Sequence, residues 1–116
     1  MLPDWWAGEE YCYLTTAGRR TGCPHEVELW FALYDGRVYI VSGGGDRADW
    51  VKNLRVDPSV TIRVGSASRE ATAKVLGNRE YHPARQNLAA KYSGWREGEA
   101  LPGWAKRGML IELSPV

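Results

Sequence analysis

The sequence predicts a mainly β, α+β domain built on a small antiparallel barrel. Six short segments show the two-residue alternation of strands, and only two segments have helical periodicity. The first three strand segments, between residues 11 and 42, follow one another without an intervening helix. This order argues against a doubly wound parallel sheet, which needs helices between its strands. A chain of 116 residues is expected to form one domain, residues 1–116.

The predicted strands are separated by short turns. The clearest strand covers residues 25–34 and leads through the hairpin signal Asp35-Gly36 into residues 37–42. One face of residues 25–34 is predicted to be the core face and carries His25, Val27, Leu29, Phe31 and Leu33. The other face carries Glu26, Glu28, Trp30, Ala32 and Tyr34. The remaining strands are predicted at residues 11–16, 60–64, 70–76 and 108–113.

Two helices are expected outside the sheet. The first is predicted to begin near Asp46, which would cap it after three glycines, and to end before Pro58. The second is predicted to begin between positions 78 and 83 and to run to about Tyr92. The segment 95–106 is expected to be an ordered loop, a lid or a linker.

Charge and hydropathy limit the possible functions. Lys and Arg total 15 against 14 Asp and Glu, so the net charge of +1 argues against a nucleic-acid or anionic-membrane surface. The longest apolar or aromatic run, residues 29–34, is too short to span a bilayer, so no integral membrane segment is expected. The N-terminus shows no secretory signal, which favours a cytoplasmic location.

No metal site is expected from the cysteines and histidines. Cys12 and Cys23 form no Cys-x-x-Cys pair, and His25 and His82 are isolated in the sequence. Cys12 lies in a strand pattern and is interpreted as a buried structural thiol. A disulfide between the two cysteines has no support in a protein that looks cytosolic.

The loop after the first strand carries residues that suit a bound anion. Residues 14–22 read Leu-Thr-Thr-Ala-Gly-Arg-Arg-Thr-Gly, which places Arg19, Arg20 and Thr21 between two glycines. Guanidinium groups, hydroxyls and backbone N–H groups on one loop can bind a phosphate or a carboxylate. A hairpin turn with solvated arginines explains the same residues, and a short basic loop alone does not decide between the two.

A second candidate anion-binding segment is Ser42-Gly43-Gly44-Gly45-Asp46. It ends a strand and opens a helix, so that a ligand could approach the glycine backbone and the first helical N–H groups. A flexible loop is the alternative interpretation. The segment is not a Walker or Rossmann loop, because it lacks the Lys-Ser/Thr ending and the strand–helix–strand frame.

Aromatic residues with a polar group are unusually frequent, with six tryptophans and six tyrosines against one phenylalanine. Such side chains line half-hydrated pockets and interfaces. Trp30 is the clearest candidate, because its phase places it away from the core face. Trp50 and Asn53 share a helical face, where packing against the barrel is the favoured role of Trp50 and Asn53 could orient a ligand or cap backbone groups.

These segments resemble the deazaflavin-dependent nitroreductase family, whose members use coenzyme F420. Residues 14–24 match Leu-Thr-Thr-x-Gly-Arg-basic-Ser/Thr-Gly-x-Pro, and residues 50–58 look like Trp-x-x-Asn-Leu-x-Ala-x-Pro. Strands and loops match in order and spacing over residues 11–65. The resemblance implies a split β-barrel of the flavin-reductase or FMN-binding type, with two or three helices.

The same resemblance implies an oxidoreductase that passes hydride from reduced F420 to a quinone, nitro or enone compound. The coenzyme would carry the reaction, so no catalytic side chain is assigned. The implied coenzyme-binding residues are Arg19, Arg20, Thr21, His25, Leu29, Trp30, Ser42, Gly43, Gly44, Trp50 and Asn53. The implied acceptor-binding residues are Tyr92 and Trp95. The chain departs from the family at Gly43, where a basic residue is usual, and at Glu28, where proline is usual.

Two alternatives remain open at this point. The first is an FMN-dependent reductase of the same fold, because the shortened glycine loop suits a single phosphate. The second is a non-catalytic binder of a flavin or another aromatic ligand. The expected partner is a small-molecule electron acceptor, and a homodimer is expected because a small barrel buries limited surface and its outward face carries Trp30.

Overall fold

Residues 2–116, which the computed structural model describes, contain seven strands and three α-helices. The strands are β1 (Cys12–Ala17), β2 (Pro24–Leu29), β3 (Ala32–Tyr34), β4 (Arg37–Ser42), β5 (Ser59–Val64), β6 (Ala67–Gly77) and β7 (Met109–Pro115). The helices are α1 (Asp49–Val56), α2 (Pro83–Ser93) and α3 (Gly103–Arg107), and short 3₁₀ turns lie at Asp4–Gly8 and Gly45–Arg47. None of these helices has both the length and the apolar character needed to cross a membrane.

The strands form one antiparallel sheet in the order β2-β1-β5-β6-β7-β4-β3. Strands β2 and β3 lie at opposite edges of this sheet, yet only Trp30 and Phe31 separate them along the chain. The sheet therefore has to curl until its two edges meet at these residues. The predicted mainly β antiparallel barrel with two or three helices is confirmed.

Two groups of buried side chains hold the barrel together. The larger group fills the curled sheet and includes Trp6, Leu14, Phe31 and Ile62, each completely buried. The smaller group lies between α2 and the sheet and consists of Ala32, Tyr39, Ala84, Leu88 and Leu110. Burying a large apolar side chain contributes about 1.5–3 kcal/mol, so both groups matter in so small a domain.

The strand predicted at residues 25–34 is wrong in its continuity and in two face assignments. It is interrupted at Trp30 and Phe31, because β2 pairs with β1 while β3 pairs with β4 at the opposite edge. The alternation predicts His25 on the core face, but this residue is exposed in β2. It predicts Ala32 on the outward face, but this residue is only 4% exposed, because α2 covers that side of β3.

The first helix begins later than predicted. Asp46 lies in a 3₁₀ turn, and α1 starts only at Asp49, after Ala48, which provides no side-chain cap. The carboxylate of Asp46 instead accepts a hydrogen bond at 2.7 Å from Arg55, near the other end of α1. The predicted end of this helix before Pro58 is correct.

The later elements differ from the prediction mainly in length. Helix α2 matches the predicted second helix and ends before Gly94, whose positive φ of +67° suits a glycine. The segment 95–106 is not entirely a loop, because α3 begins within it. Strand β6 is longer than predicted, since the turn from β5 takes only Gly65 and Ser66.

A buried arginine fastens α2 to its surroundings. Arg85 is only 2% exposed. Its guanidinium donates four hydrogen bonds of 2.8–3.0 Å to the backbone oxygens of Gly77, Glu80, Ala105 and Gly108. Desolvation by burial lowers the pKa of Arg85, but an arginine remains protonated in proteins. Arg85 thus joins the end of β6, α2 and α3 through one side chain.

Replacing Arg85 with lysine should lower the free energy of unfolding by about 3 kcal/mol, because one ammonium cannot reach all these carbonyl groups. Urea denaturation measures the change. The exposed neighbour Arg79 provides a matched control, and Arg79→Lys should change stability by less than about 0.5 kcal/mol. Equal effects of the two substitutions would show that the carbonyl contacts of Arg85 do not stabilise the fold.

Candidate functional site

The basic loop between β1 and β2 is closed by two backbone hydrogen bonds. Gly18 N–H donates to Cys23 O at 2.8 Å, and Gly22 N–H donates to Gly18 O at 2.7 Å. A Cβ atom on Gly18 would lie 2.9 Å from Nε2 of His25, so the imidazole packs directly on the loop backbone. Gly22 has a φ of +77°, a conformation that favours glycine. The conformation of the loop therefore favours glycine at both positions.

Arg19 binds α1. Its Nη1 donates to Oδ1 of Asn53 at 2.9 Å, its backbone N–H donates to the same oxygen at 3.2 Å, and its Nη2 lies 3.2 Å from Oδ1 of Asp49. Asn53 is only 4% exposed and donates through Nδ2 to Oγ1 of Thr16 at 3.2 Å. Arg19 and Asn53 were predicted to bind a ligand, and the structure gives both of them protein partners that fix the loop against the helix.

Arg20 differs from Arg19 in its contacts. Its side chain is exposed, and no hydrogen bond or ion pair joins it to any of residues 2–116. The two acidic residues nearby already have cationic partners, since Asp49 pairs with Arg19 and Glu26 lies 3.6 Å from a guanidinium nitrogen of Arg63. Arg20 therefore contributes a positive charge that the surrounding protein does not neutralise.

An open cleft of about 610 Å³ lies between this loop and α1. It is lined by Gly18, Arg19, Arg20, Thr21, His25, Glu26, Val27, Asp49, Trp50 and Asn53. The structure thus brings the predicted residues of the loop together with those of α1. The hydroxyl oxygen of Thr21 accepts a hydrogen bond at 3.2 Å from the backbone N–H of Cys23, which leaves its own proton to donate.

The predicted residues of the glycine-rich segment do not line this cleft. Ser42 is 4% exposed, and its hydroxyl donates to the backbone oxygen of Gly45 at 3.2 Å, so it is already paired within its own turn. Gly43 and Gly44 are exposed. Leu29 packs against the main core instead of lining the cleft.

Trp30 lies at the break between β2 and β3 and is 41% exposed. Its ring stacks on Tyr92 with centroids 4.4 Å apart and an angle of 8° between the planes. Trp104 of α3 approaches edge-on, with centroids 5.5 Å apart. We call Trp30, Tyr92 and Trp104 the aromatic cluster. The sequence predicted an outward Trp30 but gave no signal for Trp104, which is far away in the chain.

Side chains of α2 bind the backbone at this break. The hydroxyl of Tyr92 accepts from Phe31 N–H at 3.0 Å and lies 2.7 Å from the backbone oxygen of Glu10. Lys91 donates from Nζ to the backbone oxygen of Phe31 at 3.0 Å. Burial raises the pKa of Tyr92 to about 12, so its hydroxyl stays protonated at neutral pH. Sequence reasoning missed Lys91, whose only signal was a basic residue in the last turn of a helix.

Trp95 does not join Tyr92, although the two were predicted to act together. Its ring N–H donates to the backbone oxygen of Glu99 at 2.9 Å. It lines a different cavity of about 410 Å³, where Tyr81 and Leu101 are among its neighbours. The turn after α2 places Trp95 and Tyr92 on different cavities.

The cysteines agree with the sequence-based interpretation. Cys12 is buried, Cys23 is exposed, and both are free thiols. Burial raises the pKa of the Cys12 thiol to about 12, which makes it unreactive at neutral pH.

The curled antiparallel sheet, with its helices outside and a basic loop at one end, defines a split β-barrel protein. Residues 3–100 match the family model of the F420H(2)-dependent quinone reductases. The chain therefore belongs to the F420H(2)-dependent quinone reductase family, and the predicted relationship to F420-using reductases is confirmed.

Sequence and structure comparisons agree with this placement. An F420H(2)-dependent quinone reductase of Mycobacterium tuberculosis (strain H37Rv) is 31% identical over 99 residues, which cover 77% of this chain and 66% of the relative. The chain thus spans slightly less than two thirds of the length of the curated relatives it matches.

Solved structures show the same fold. A conserved hypothetical protein of Mycobacterium tuberculosis superposes with a TM-score of 0.76 at 23% identity, covering 97% of this chain and 76% of that one. An F420-H2 dependent reductase superposes with a TM-score of 0.65 at 20% identity, covering 90% of this chain and 94% of that one. These similarities confirm the predicted split barrel.

The two adjacent arginines should differ in their effect on stability. Arg19→Met should lower the free energy of unfolding by about 1–2 kcal/mol, because it removes the guanidinium donor of the buried Asn53 amide oxygen, which then keeps only the backbone N–H at position 19. Arg20→Met should change it by less than about 0.5 kcal/mol. Thermal or urea denaturation of the two variants, compared with the unsubstituted protein, measures the difference. A larger loss for Arg20→Met would contradict the contacts described above.

Proposed function

We propose that this chain binds reduced coenzyme F420 and reduces quinones. Membership of the family supports the proposal, and the observation that carries it is the unpaired Arg20 in a cleft formed by the family's own motif residues. The deazaflavin coenzyme has an anionic tail, and a guanidinium binds such a group through charge-assisted hydrogen bonds. The paired acids Glu26 and Asp49 add little repulsion to this site.

The fold also supports a ligand that extends from the cleft to the aromatic cluster. Val27 lines the cleft, and Trp30 follows it three positions later along the same chain segment. At about 3.3 Å per residue, this separation is roughly 10 Å. A ligand with its tail at Arg20 and its ring beside Trp30 would follow β2 between the two features.

In this arrangement the protein binds and orients while the bound coenzyme supplies the hydride. Arg20 and the hydroxyl of Thr21 bind the anionic tail. Trp50 provides part of the cleft wall, and Trp30 covers one side of the ring. The acceptor lies on the Tyr92 side of the aromatic cluster. Quinones are the first acceptor class to test, and nitro and enone compounds are electron-poor alternatives for the same site.

Coenzyme binding can be tested by titration of the intrinsic tryptophan fluorescence. F420 should quench it at micromolar concentrations and more strongly than FMN does. Arg20→Met should weaken F420 binding about tenfold to a hundredfold, the range that one charge-assisted hydrogen bond supplies. Because Arg20→Met is expected to fold normally, a loss of affinity would report on the site itself.

The alternatives give different results in the same experiment. Equal or tighter binding of FMN would favour an FMN-dependent reductase of this fold. Tight F420 binding without reduction of any quinone, nitro or enone acceptor would favour a non-catalytic binder. Unchanged F420 affinity in Arg20→Met would rule out the proposed tail site.

Trp30→Ala should reduce turnover more than it reduces stability. Trp30 is 41% exposed, so its removal opens no core cavity, but it does remove the stacked neighbour of Tyr92. Loss of ring orientation is costly, because small misplacements of reacting groups slow a reaction strongly. Steady-state quinone reduction and the melting temperature should be measured together. A large fall in melting temperature with an unchanged rate would make Trp30 a packing residue.

Self-association and a cytoplasmic location remain predictions from the sequence. Light scattering at tens of micromolar protein should give about twice the chain mass of 13.0 kDa. A mass equal to one chain would contradict the homodimer.

A further inference from the structure

Lys91 presents an ammonium group whose hydrogen-bonding capacity is only partly used. Its Nζ donates to the backbone oxygen of Phe31 at 3.0 Å and lies 3.8 Å from the centroid of the Phe31 ring. It also lies 5.1 Å from the ring centroid of Tyr92. An ammonium has three N–H donors, and this is its single hydrogen bond to residues 2–116. No carboxylate of that region forms an ion pair with it.

The same lysine lines a cavity beside the aromatic cluster. This cavity has a volume of about 290 Å³ and is lined by Gly8, Glu9, Glu10, Trp30, Lys91 and Tyr92. Ligand pockets commonly start at about 300 Å³, so the space suits a small ring compound. Two aromatic walls and a cation with spare donors are therefore found together.

We propose that Lys91 is a catalytic residue that binds a carbonyl oxygen of the acceptor quinone and stabilises the negative charge formed there. The inference rests on the proposed quinone reductase activity and adds a specific role that the sequence did not reveal. Preorganised cations aimed at a developing negative charge are among the most effective means of lowering a reaction barrier.

The charge arises from the balance of the reaction. Hydride transfer breaks a C–H bond of the reduced coenzyme and carries two electrons and one proton to the quinone. An O–H bond forms at one carbonyl oxygen, and the second carbonyl oxygen becomes an anion. The ammonium of Lys91 binds this second oxygen, and a proton from water completes the hydroquinone.

Other groups around the cavity cannot take this role. Glu9 and Glu10 carry the wrong charge. The hydroxyl of Tyr92 is already bonded to the backbone, and burial raises the pKa values of Tyr92 and Cys12 to about 12. Tyr92 and Cys12 therefore remain neutral over the range in which Lys91 loses its proton.

The ionisation of Lys91 should make the quinone reductase activity depend on pH. Desolvation lowers the pKa of Lys91 below its usual value of 10.5, while the carboxylate of Glu9 acts in the opposite direction. The cationic form is the active one, so activity should fall as the pH rises through this lowered pKa. An arginine at the same position would keep its charge and move the alkaline fall to higher pH.

Binding of a quinone anion tests the site without any coenzyme. The probe is the anion of 2-hydroxy-1,4-naphthoquinone, and its binding is followed by quenching of tryptophan fluorescence. Lys91→Met should weaken binding at least tenfold, within the range expected for a charge-assisted contact. Lys74→Met, which removes an exposed lysine on β6, is the matched control and should bind as the unsubstituted protein does. Equal affinities in the two variants would overturn the proposal.

Kinetics test the catalytic role separately. With saturating reduced F420 and 2-methyl-1,4-naphthoquinone as acceptor, Lys91→Met should lower kcat about tenfold to a hundredfold and leave the affinity for F420 unchanged. Lys91→Arg should recover part of the rate and shift the alkaline fall upward. An unchanged kcat in Lys91→Met, or an alkaline fall that Lys91→Arg does not move, would contradict the proposal.

The experiments distinguish absence of the proposed quinone reductase activity from absence of the proposed Lys91 site. If the unsubstituted protein binds the naphthoquinone anion through Lys91 but does not oxidise reduced F420, the reductase activity fails while the anion site remains. If Lys91→Met does not fold, Lys91→Arg carries the test, since it keeps the charge and changes the pH at which that charge is lost.

Discussion

The interruption of the strand at Trp30 and Phe31 is the constraint on which the rest of the structure depends. The chain crosses here from one edge of the curled sheet to the other, so Phe31 lies outside the paired segments of β2 and β3. A buried backbone group without a partner is costly. Helix α2 supplies the missing partners, because the Tyr92 hydroxyl accepts from the N–H of Phe31 and Lys91 donates to its carbonyl oxygen.

The hydrogen bonds that satisfy this backbone also fix the positions of Trp30, Tyr92 and Lys91. Phe31 turns into the core, so its neighbour Trp30 has to face outward, where Tyr92 stacks against it. The contact that closes the barrel therefore also positions an exposed aromatic wall and a partly desolvated cation. The carbonyl contacts of Arg85 hold α2 and α3 together and thereby keep Trp104 close to the same wall.

The sequence predicted the features that depend on residues close together in the chain. The loop with Arg19 and Arg20 and the alternation of the paired strands follow from near neighbours, and the structure places both close to the predicted positions. The break at Phe31 could not be predicted, because it results from the pairing of β2 and β3 with strands at opposite edges. The roles of Arg85 and Lys91 were missed for the same reason, since their partners are carbonyl oxygens that only the fold brings within reach.

The adjacent residues Arg19 and Arg20 show that two residues of one motif can have different contacts. Arg19 fixes the loop to α1, with Asn53 and Asp49 as its partners, and so determines where the loop stands. Arg20 follows immediately, but the paired acids leave it as the free charge of the cleft. The N–H groups that Arg19 donates to Asn53 and Asp49 are not available to bind a ligand. The conformation of the loop and the unpaired charge that it carries therefore depend on different residues.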